Sequence, residues 1–308
     1  MKAYESLGVS AEDYLEAIFV LERQLGAVRS IDVARWLDVS KPSVCHAMKK
    51  LIAGGYLTMD VEHLLQLSEK GRDIAAAINE RHCFFRDYLI LVRLEIEQIF
   101  GKAYDEAFEE IWGYYRAQML ERCPYIGGDR SSGTKNLTGC LFFIAVGVCG
   151  KNHGLSTHEW GRLATTIYQR WFARLPRSLR RAARFLFRQA PGVVNMALRR
   201  RDRRNARIAQ KHSGGFITET LPPTAEYSLI YLSKRCPIND FCRRYGYMEY
   251  LPYMCNLDYV MFAAFEVPLY REKTCASGDG VCDFKLKRRA PVPDIWPPHI
   301  LDDADPLK

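Results

Sequence analysis

The stretch that decides the fold of the first part of the chain runs from Val28 to Glu62 and reads VRSIDVARWLDVSKPSVCHAMKKLIAGGYLTMDVE. Apolar residues at helical spacing after Ser30 predict a short helix with Ser30 as its cap. Ser40 can cap the next helix, and Pro42 lies in its first turn, where a missing N–H costs little. A Gly-Gly pair at 54–55 ends that helix, and a short β excursion follows.

The second of these helices has two different faces. Val44, Met48 and Leu51 form its apolar stripe. The polar and basic residues of the other face are Lys41, Ser43, His46, Lys49 and Lys50. Such a helix fits a DNA major groove, with small polar side chains on base edges and lysines on phosphates. The alternative is a helical hairpin in an ordinary core, but the hairpin spacing, the basic face and the β ribbon together favour DNA binding.

The flanking segments extend this pattern. SAEDYLEAIFVLERQLG precedes it, and LLQLSEKGRDIAAAINERHCFFRDYLILV follows it. This order resembles the N-terminal part of the diphtheria-toxin-repressor and manganese-repressor family of metal-dependent regulators, from about Ser10 to Val92. The resemblance implies a winged helix-turn-helix that binds double-stranded DNA as a homodimer.

The same resemblance implies a divalent metal site. By position, its ligands are Asp13 and Glu16 on one helix and His82 on another, a set suited to Mn²⁺ or Fe²⁺. The family takes further ligands from an E-x-x-E-H run; the nearest run here offers Glu106 and Glu109, is shifted by two residues and has glutamate in place of histidine. The alternative is that the two acidic residues favour a helix N-terminus and that the histidine is structural.

Length and composition suggest two domains and an anionic partner. The chain has 308 residues, 48% of them apolar, and a net charge of +8. The polar N-terminus does not resemble a signal peptide, and the apolar run from Gly139 to Gly150 is too short to span a bilayer. We therefore expect a cytoplasmic protein without a transmembrane segment, whose ten cysteines are thiols or ligands.

The fold class that we expect is α+β. The predicted organisation is a winged helix-turn-helix domain over 1–95, a connecting helix over 96–120, a small-molecule-binding α/β domain over 121–290 and a tail over 291–308. In the third segment, buried and capped helices precede β segments from Gly215, and a hairpin closes the domain around an antiparallel sheet.

An unusually basic segment covers residues 170–211, where Asp202 is the only acidic residue. Three explanations compete for it: a solvated helical face, contacts with DNA phosphates, and binding to a membrane surface. The third is raised by an apolar side that contains Leu179, Ala182, Phe185 and Leu186.

A cluster of cysteines marks the last third of the chain. The pattern is a strand ending in RCPI at Cys236, a CNLDY element at Cys255, and GDG-x-CDF at Cys282. This order is similar to the L-2-amino-thiazoline-4-carboxylic acid hydrolase family, from about Lys102 to Lys287. That resemblance implies hydrolysis of a thiazoline ring by addition of water at the carbon between sulfur and nitrogen.

This chemistry needs a base or a thiolate, and a cation for the substrate carboxylate. Asp258 is the candidate base, and Cys255 is the candidate nucleophile or ligand. The other candidates for the same pocket are Cys236 and Cys282 as lining residues, Arg235 as the carboxylate clamp and Asp279 as a residue that orients the turn. Two alternatives stand beside this one: the cysteines bind zinc or iron as thiolates, or they are small buried hydrophobes.

Two functions follow from these patterns. The first is a DNA-binding transcriptional regulator whose second domain senses a small molecule or a metal. The second is a hydrolase of the thiazoline-carboxylate type that carries the winged helix as an assembly module. The presence of the full DNA-reading helix favours the first.

Overall fold

The computed structural model describes residues 9–128 and 131–298, and the chain divides between Asp87 and Tyr88 into two compact units. Each unit combines helices with a small antiparallel sheet, which confirms the predicted α+β class. The predicted boundary at residue 95 and the predicted connecting helix over 96–120 lie inside the second unit.

The first unit is a winged helix-turn-helix. Its elements are α1 (Val9–Leu25), β1 (Val28–Arg29), α2 (Ser30–Trp36), α3 (Lys41–Ala53), β2 (Leu57–Met59), β3 (Leu64–Leu67) and α4 (Glu69–Leu89). The sheet has the order β1-β3-β2, and both of its pairings are antiparallel. Leu15, Ile18, Val33, Val44 and Leu65 are among the side chains of its core.

The two helix starts differ in how they are capped. The Ser40 hydroxyl accepts a hydrogen bond from the Ser43 N–H at 3.3 Å, so the predicted cap of α3 is confirmed. The prediction that Ser30 caps α2 is wrong, because strand β1 runs directly into the helix and Ser30 is its first residue. Arg29 occupies the cap position, and its N–H donates to Asp32 Oδ2 at 2.9 Å.

The wing is the hairpin formed by β2 and β3, and short-range contacts fix both its turn and its end. Asp60 Oδ1 accepts the N–H groups of Glu62 at 2.9 Å and Leu64 at 2.8 Å, which closes the loop between β2 and β3. Where α4 begins, Gly71 lies so close to the backbone of Tyr56 that an added Cβ would be 1.9 Å from the Tyr56 carbonyl oxygen. The wing therefore returns to the body of the unit at a position that only glycine fits.

The second unit is larger and mostly helical. Its helices are α5 (Arg93–Phe100), α6 (Tyr104–Tyr114), α7 (Ser132–Asn152), α8 (Thr157–Ala173), α9 (Arg177–Arg188), α10 (Pro191–Lys211), α11 (Pro237–Tyr245) and α12 (Leu251–Ala264). Its strands are β4 (Ile217–Leu221), β5 (Tyr227–Arg235), β6 (Leu269–Tyr270) and β7 (Cys282–Lys287), in the antiparallel order β4-β5-β7-β6. The β segments after Gly215 and the closing hairpin agree with the sequence prediction.

Helix α7 is the buried core helix that its composition predicts. By length and composition alone it could cross a membrane, but 72% of its most apolar window is buried inside the protein; the described residues contain no other such helix. Helix α8 is capped by Ser156, whose hydroxyl accepts the Glu159 N–H at 3.2 Å while the Glu159 carboxylate accepts the Ser156 N–H at 2.9 Å. This reciprocal cap fixes the start of α8.

Helix α10 is tied to the edge of the second sheet by one carboxylate. Asp202 accepts hydrogen bonds from the Thr218 hydroxyl at 2.6 Å and from the Thr220 N–H at 2.7 Å. The single acidic residue of the basic segment therefore joins α10 to β4 within the unit.

Candidate functional sites: an exposed helix and a cavity

Helix α3 presents its polar face to solvent. Val44, Met48 and Leu51 are buried, each with an exposed fraction of at most 3%. All five residues predicted to contact DNA are exposed: Lys41, Ser43, His46, Lys49 and Lys50. The helix thus has the division of faces that a major-groove reader needs, with three lysines available for phosphates.

The predicted metal ligands of the first unit include one close pair. His82 Nδ1 on α4 lies 2.8 Å from Glu16 Oε1 on α1, and Asp13 lies one turn before Glu16 on the same helix. The other two predicted ligands, Glu106 and Glu109, are exposed on α6 of the second unit. Across residues 9–128 and 131–298, no three His, Cys, Asp or Glu side chains are grouped so that they could hold a metal ion. Within the first unit, the predicted ligands therefore present a close Glu16–His82 pair and no group of three.

The glutamate that replaces the expected histidine has its own partners. Glu110 accepts hydrogen bonds from Lys102 at 2.6 Å and from His153 at 2.9 Å. Burial alone would raise the pKa of Glu110, but these two partners hold it below its ordinary value. Glu110 is therefore engaged in a charged network within the second unit.

A cavity of about 400 Å³ lies in the second unit, between its sheet and its helices. Alternate residues of the central strands face it, namely Tyr231 and Ser233 on β5 and Cys282 and Phe284 on β7, as the period of two in a strand requires. One face of α12 closes the opposite side. The residues that α12 contributes are Leu251, Met254, Cys255, Leu257, Asp258 and Met261.

A buried ion pair stands at the centre of the cavity wall. Arg271 Nη1 donates to Asp258 Oδ2 at 2.9 Å and to the Cys255 carbonyl at 3.2 Å. The guanidinium also lies 4.2 Å from the centre of the Phe284 ring, and its Nε is buried with no hydrogen-bond partner. Since the Arg271 side chain is only 2% exposed, its charge is balanced mainly by one carboxylate.

The environment of Asp258 raises the pKa of its carboxyl. Its side chain is 35% accessible, but the carboxyl lines the cavity inside the unit. Burial raises the pKa of Asp258 above its ordinary 3.8, although Arg271 acts in the opposite direction. A carboxylate with a raised pKa accepts a proton more readily than an exposed aspartate does, so Asp258 is suited to act as a base.

An aromatic pair forms the sheet side of the cavity. Tyr231 and Phe284 are cross-strand partners whose rings stack at 4.3 Å between centres and 10° between planes. The guanidinium of Arg201, from α10, lies 4.7 Å from the centre of the Tyr231 ring and also lines the cavity. The cavity thus offers a flat aromatic wall next to two cations.

Two of the cavity thiols, Cys236 and Cys255, are protonated at neutral pH. Burial raises the pKa of Cys236 to about 12 and that of Cys255 well above its ordinary 9.0. Cys282 also lines the cavity, and its sulfur accepts a hydrogen bond from the Cys275 N–H at 3.1 Å. Because the thiolate is the reactive form, Cys236 and Cys255 are poor nucleophiles in this environment.

Two of the predicted pocket residues lie outside the cavity lining. Arg235, predicted as a carboxylate clamp, donates through Nε to the Gly215 carbonyl at 2.8 Å. Asp279 accepts the Thr274 N–H at 2.9 Å and so orients the turn, which is the role predicted for it. The cations that line the cavity are Arg271 and Arg201, which sequence reasoning missed. Alternation along β5 could have indicated Tyr231, but no local pattern places Arg271 beside Asp258.

Comparison with known proteins matches each unit to a different family. Residues 6–63 match the iron dependent repressor family, N-terminal DNA binding domain. Residues 155–286 match the L-2-amino-thiazoline-4-carboxylic acid hydrolase family. The second match includes Asp258, Arg271 and the three predicted cavity cysteines. Both resemblances predicted from the sequence are therefore confirmed.

The first unit also has curated relatives. The HTH-type transcriptional regulator MntR of Geobacillus kaustophilus is 34% identical over 91 residues, which cover 30% of this chain and 64% of the relative. MntR of Bacillus subtilis is 32% identical over 92 residues, covering 30% and 65%. The transcriptional regulator MntR of Escherichia coli O157:H7 is 31% identical over 86 residues, covering 28% and 56%. The chain thus spans about two thirds or less of each relative's length.

These similarities and the exposed face of α3 are those of a helix-turn-helix DNA-binding domain in the first unit. The description of the first family points to divalent metals such as iron as regulators among its members. In this chain, the described residues do not assemble a site for such a metal.

Proposed function

We propose that the chain is a cytoplasmic transcriptional regulator that binds double-stranded DNA as a homodimer through α3. The observation that carries the proposal is the polar and basic face of α3, which is exposed to solvent on a capped helix of the winged helix-turn-helix unit. The repressor-like match of residues 6–63 supports the same function. A dimer would place two such helices on a symmetric operator.

We further propose that the cavity of the second unit binds the effector. Its volume suits a small molecule, the Tyr231–Phe284 wall suits a planar group, and Asp258 can accept a hydrogen bond from an amine or amidine. Arg201 can pair with an anionic group of the ligand. Such a ligand regulates DNA binding only if it has different affinities for the DNA-competent and incompetent states.

Fluorescence anisotropy tests the DNA-binding part of the proposal. The labelled duplex is the DNA upstream of this protein's own coding sequence, and the reference is a scrambled duplex at the same salt. We expect sequence-selective binding. The Lys49→Ala/Lys50→Ala variant should lower the slope of log affinity against log salt by about two for each chain.

A matched control separates these contacts from net charge. Lys135→Ala/Lys273→Ala removes two exposed lysines from the second unit and should leave the salt slope unchanged. Equal weak binding to both duplexes, or the same loss in both variants, would refute α3 as the reading helix.

Titration with L-2-amino-thiazoline-4-carboxylate as the probe tests the effector site. We expect the probe to change operator affinity in the wild type and to have a weaker effect in Asp258→Asn. An unchanged operator affinity at saturating, directly measured probe binding would refute the sensor role but leave the DNA-binding role standing.

A hydrolase is the second candidate function. The observation that favours it is Asp258, a carboxyl with a raised pKa that lines the cavity beside Arg271. Asp258 would take a proton from water as the water attacks the carbon between sulfur and nitrogen, and would return that proton to the ring sulfur as the carbon–sulfur bond breaks and the sulfur leaves as a thiol. The protonated Cys255 leaves the role of the base to the carboxylate. Turnover of the thiazoline acid that is lost in Asp258→Asn would establish this activity, and no turnover by concentrated wild-type protein would exclude it.

A further inference from the structure

Helices α9 and α10 form an unusually basic surface on the second unit. Helix α9 contains no acidic residue, and its arginines recur on one side, at Arg177, Arg181, Arg184 and Arg188. The one acidic residue of α10, Asp202, is held by threonines of β4 and lies 3.4 Å from the Arg201 guanidinium.

The same two helices expose large apolar side chains. The exposed fractions are 52% for Leu179, 59% for Phe185, 41% for Leu186, 53% for Val193 and 51% for Met196. On the inner sides of these helices, Phe187, Val194 and Leu198 pack against the core of the unit. Each helix therefore has some apolar side chains that pack inside the unit and others that are exposed to solvent.

The arginines of α9 also line a groove. Arg177, Arg180, Arg181 and Arg184 surround a volume of about 220 Å³ together with Phe265 and Glu266. Arg184 forms an ion pair with Glu266, the one carboxylate of the lining, while Arg180 Nε is buried with no hydrogen-bond partner. The groove therefore has more guanidinium groups than carboxylates, and a phosphate group could accept hydrogen bonds from them.

We propose that this α9–α10 surface binds an anionic lipid bilayer, with the exposed apolar side chains in the boundary between headgroups and acyl chains and the arginines on lipid phosphates. A helix with an arginine side and a leucine- and phenylalanine-bearing side is the form that interfacial helices take. The proposal goes beyond the operator and effector sites and depends on neither.

The chemistry of the surface favours a bilayer as its partner over DNA or a second copy of the chain. DNA phosphates would bind the arginines but would leave Leu179, Phe185 and Leu186 without an apolar environment. A second copy would place this basic surface against the same basic surface, since a twofold interface is self-complementary and like charges repel. An anionic bilayer meets both requirements at once.

Vesicle flotation with the full chain tests the proposal. The vesicles contain phosphatidylcholine alone or with about a third phosphatidylglycerol, at physiological salt. We expect binding to the anionic vesicles and little to the neutral ones. Leu179→Ser/Phe185→Ser should lower the partition coefficient at least about tenfold, because two large side chains no longer enter the bilayer.

The control variant is Ile90→Ser/Leu94→Ser, which removes two exposed apolar residues elsewhere on the same unit and should bind vesicles like the wild type. Circular dichroism and operator affinity report that both variants remain folded. A second variant, Arg181→Gln/Arg184→Gln, should weaken binding to anionic vesicles.

Three results would overturn the proposal. The first is binding no stronger to anionic than to neutral vesicles. The second is an arginine variant that loses operator affinity while its vesicle binding is unchanged, which would assign the surface to DNA. The third is a concentration-dependent dimer that Leu179→Ser/Phe185→Ser dissociates while vesicle binding is unchanged, which would assign it to a second copy. Vesicle binding without operator binding would refute the regulator and leave this proposal intact.

Discussion

Replacing Arg271 by methionine should destabilise the second unit in a pH-dependent manner. The variant leaves Asp258 in the cavity wall without its counter-ion, and the carboxyl can then either stay ionised or take up a proton. The free energy needed to protonate Asp258 sets the upper bound of the loss of stability. From the ordinary pKa of 3.8 to neutral pH, this bound is about 4 kcal/mol, at about 1.4 kcal/mol per pH unit.

The expected loss is smaller than the bound, because 35% of the Asp258 side chain is accessible through the cavity and water there screens the charge. We expect about 2 kcal/mol at pH 7, plus about 1 kcal/mol for the lost contact of the guanidinium with the Phe284 ring. For a unit of this size, the sum corresponds to a decrease of about 6–12 °C in Tm.

The sign of the pH dependence follows from the raised pKa. A carboxyl whose folded-state pKa lies above its unfolded value contributes stability below the unfolded pKa and loses it as pH rises through the folded pKa. Arg271→Met removes the attraction that opposes burial, so the pKa of Asp258 rises further. The variant should therefore be closest to wild type near pH 4 and progressively less stable toward pH 7.

Urea unfolding followed by tryptophan fluorescence measures this effect, since Trp36 is the only one of the five tryptophans that precedes Tyr88. The control is Arg271→Met/Asp258→Asn, which has no ionisable carboxyl at this position and should lose the pH dependence. An equal loss of stability at pH 4.5 and pH 7 in Arg271→Met would refute the reasoning, because it would show that the cost is one of packing alone.

Three further predictions concern other parts of the molecule. Gly71→Ala should destabilise the first unit by about 2–3 kcal/mol in urea unfolding, since its Cβ meets the Tyr56 carbonyl, whereas Gly113→Ala, with open space around it, should not; equal effects would contradict the packing argument. With Ellman's reagent at pH 7.5, exposed Cys45 and Cys83 should react well before the cavity cysteine Cys236, and fast labelling of Cys236 would contradict its raised pKa. Added Mn²⁺ should change operator affinity less than about twofold, because the described residues group no metal-binding set; a tenfold change would contradict this.

The fold was predictable wherever the signal was local. Ser40 and Ser156 mark helix starts because a hydroxyl that precedes an apolar periodic run satisfies the free N–H groups there. The start of α2 was not predictable in this way. Strand β1 pairs with β3, far away in the sequence, and this pairing carries the chain straight into the helix, so that Ser30 loses the cap position.

The candidate site was predictable in part. Cys255 and Asp258 lie one turn apart on a helix, so their shared face follows from spacing alone. Arg271 follows strand β6, and only the packing of the β6–β7 loop against α12 brings it to Asp258. Arg235 was the more apparent candidate because it adjoins a cysteine motif, but its guanidinium donates a hydrogen bond to the Gly215 carbonyl.

The buried Asp258–Arg271 pair is itself an argument that the cavity has a function. Removing two charges from water costs several kcal/mol for each ion, and well-packed apolar residues in their place are often as stabilising or more so. The pair also leaves the buried Arg271 Nε without a hydrogen-bond partner among the described residues. A ligand that accepts from this nitrogen and donates to Asp258 would satisfy both groups at once. Both proposed activities of the second unit, effector binding and water addition, therefore make the same demand on this wall of the cavity. They differ in how far Asp258→Asn impairs them: hydrolysis requires the carboxylate to accept a proton and should be lost, whereas the effect of the probe on operator affinity should only weaken.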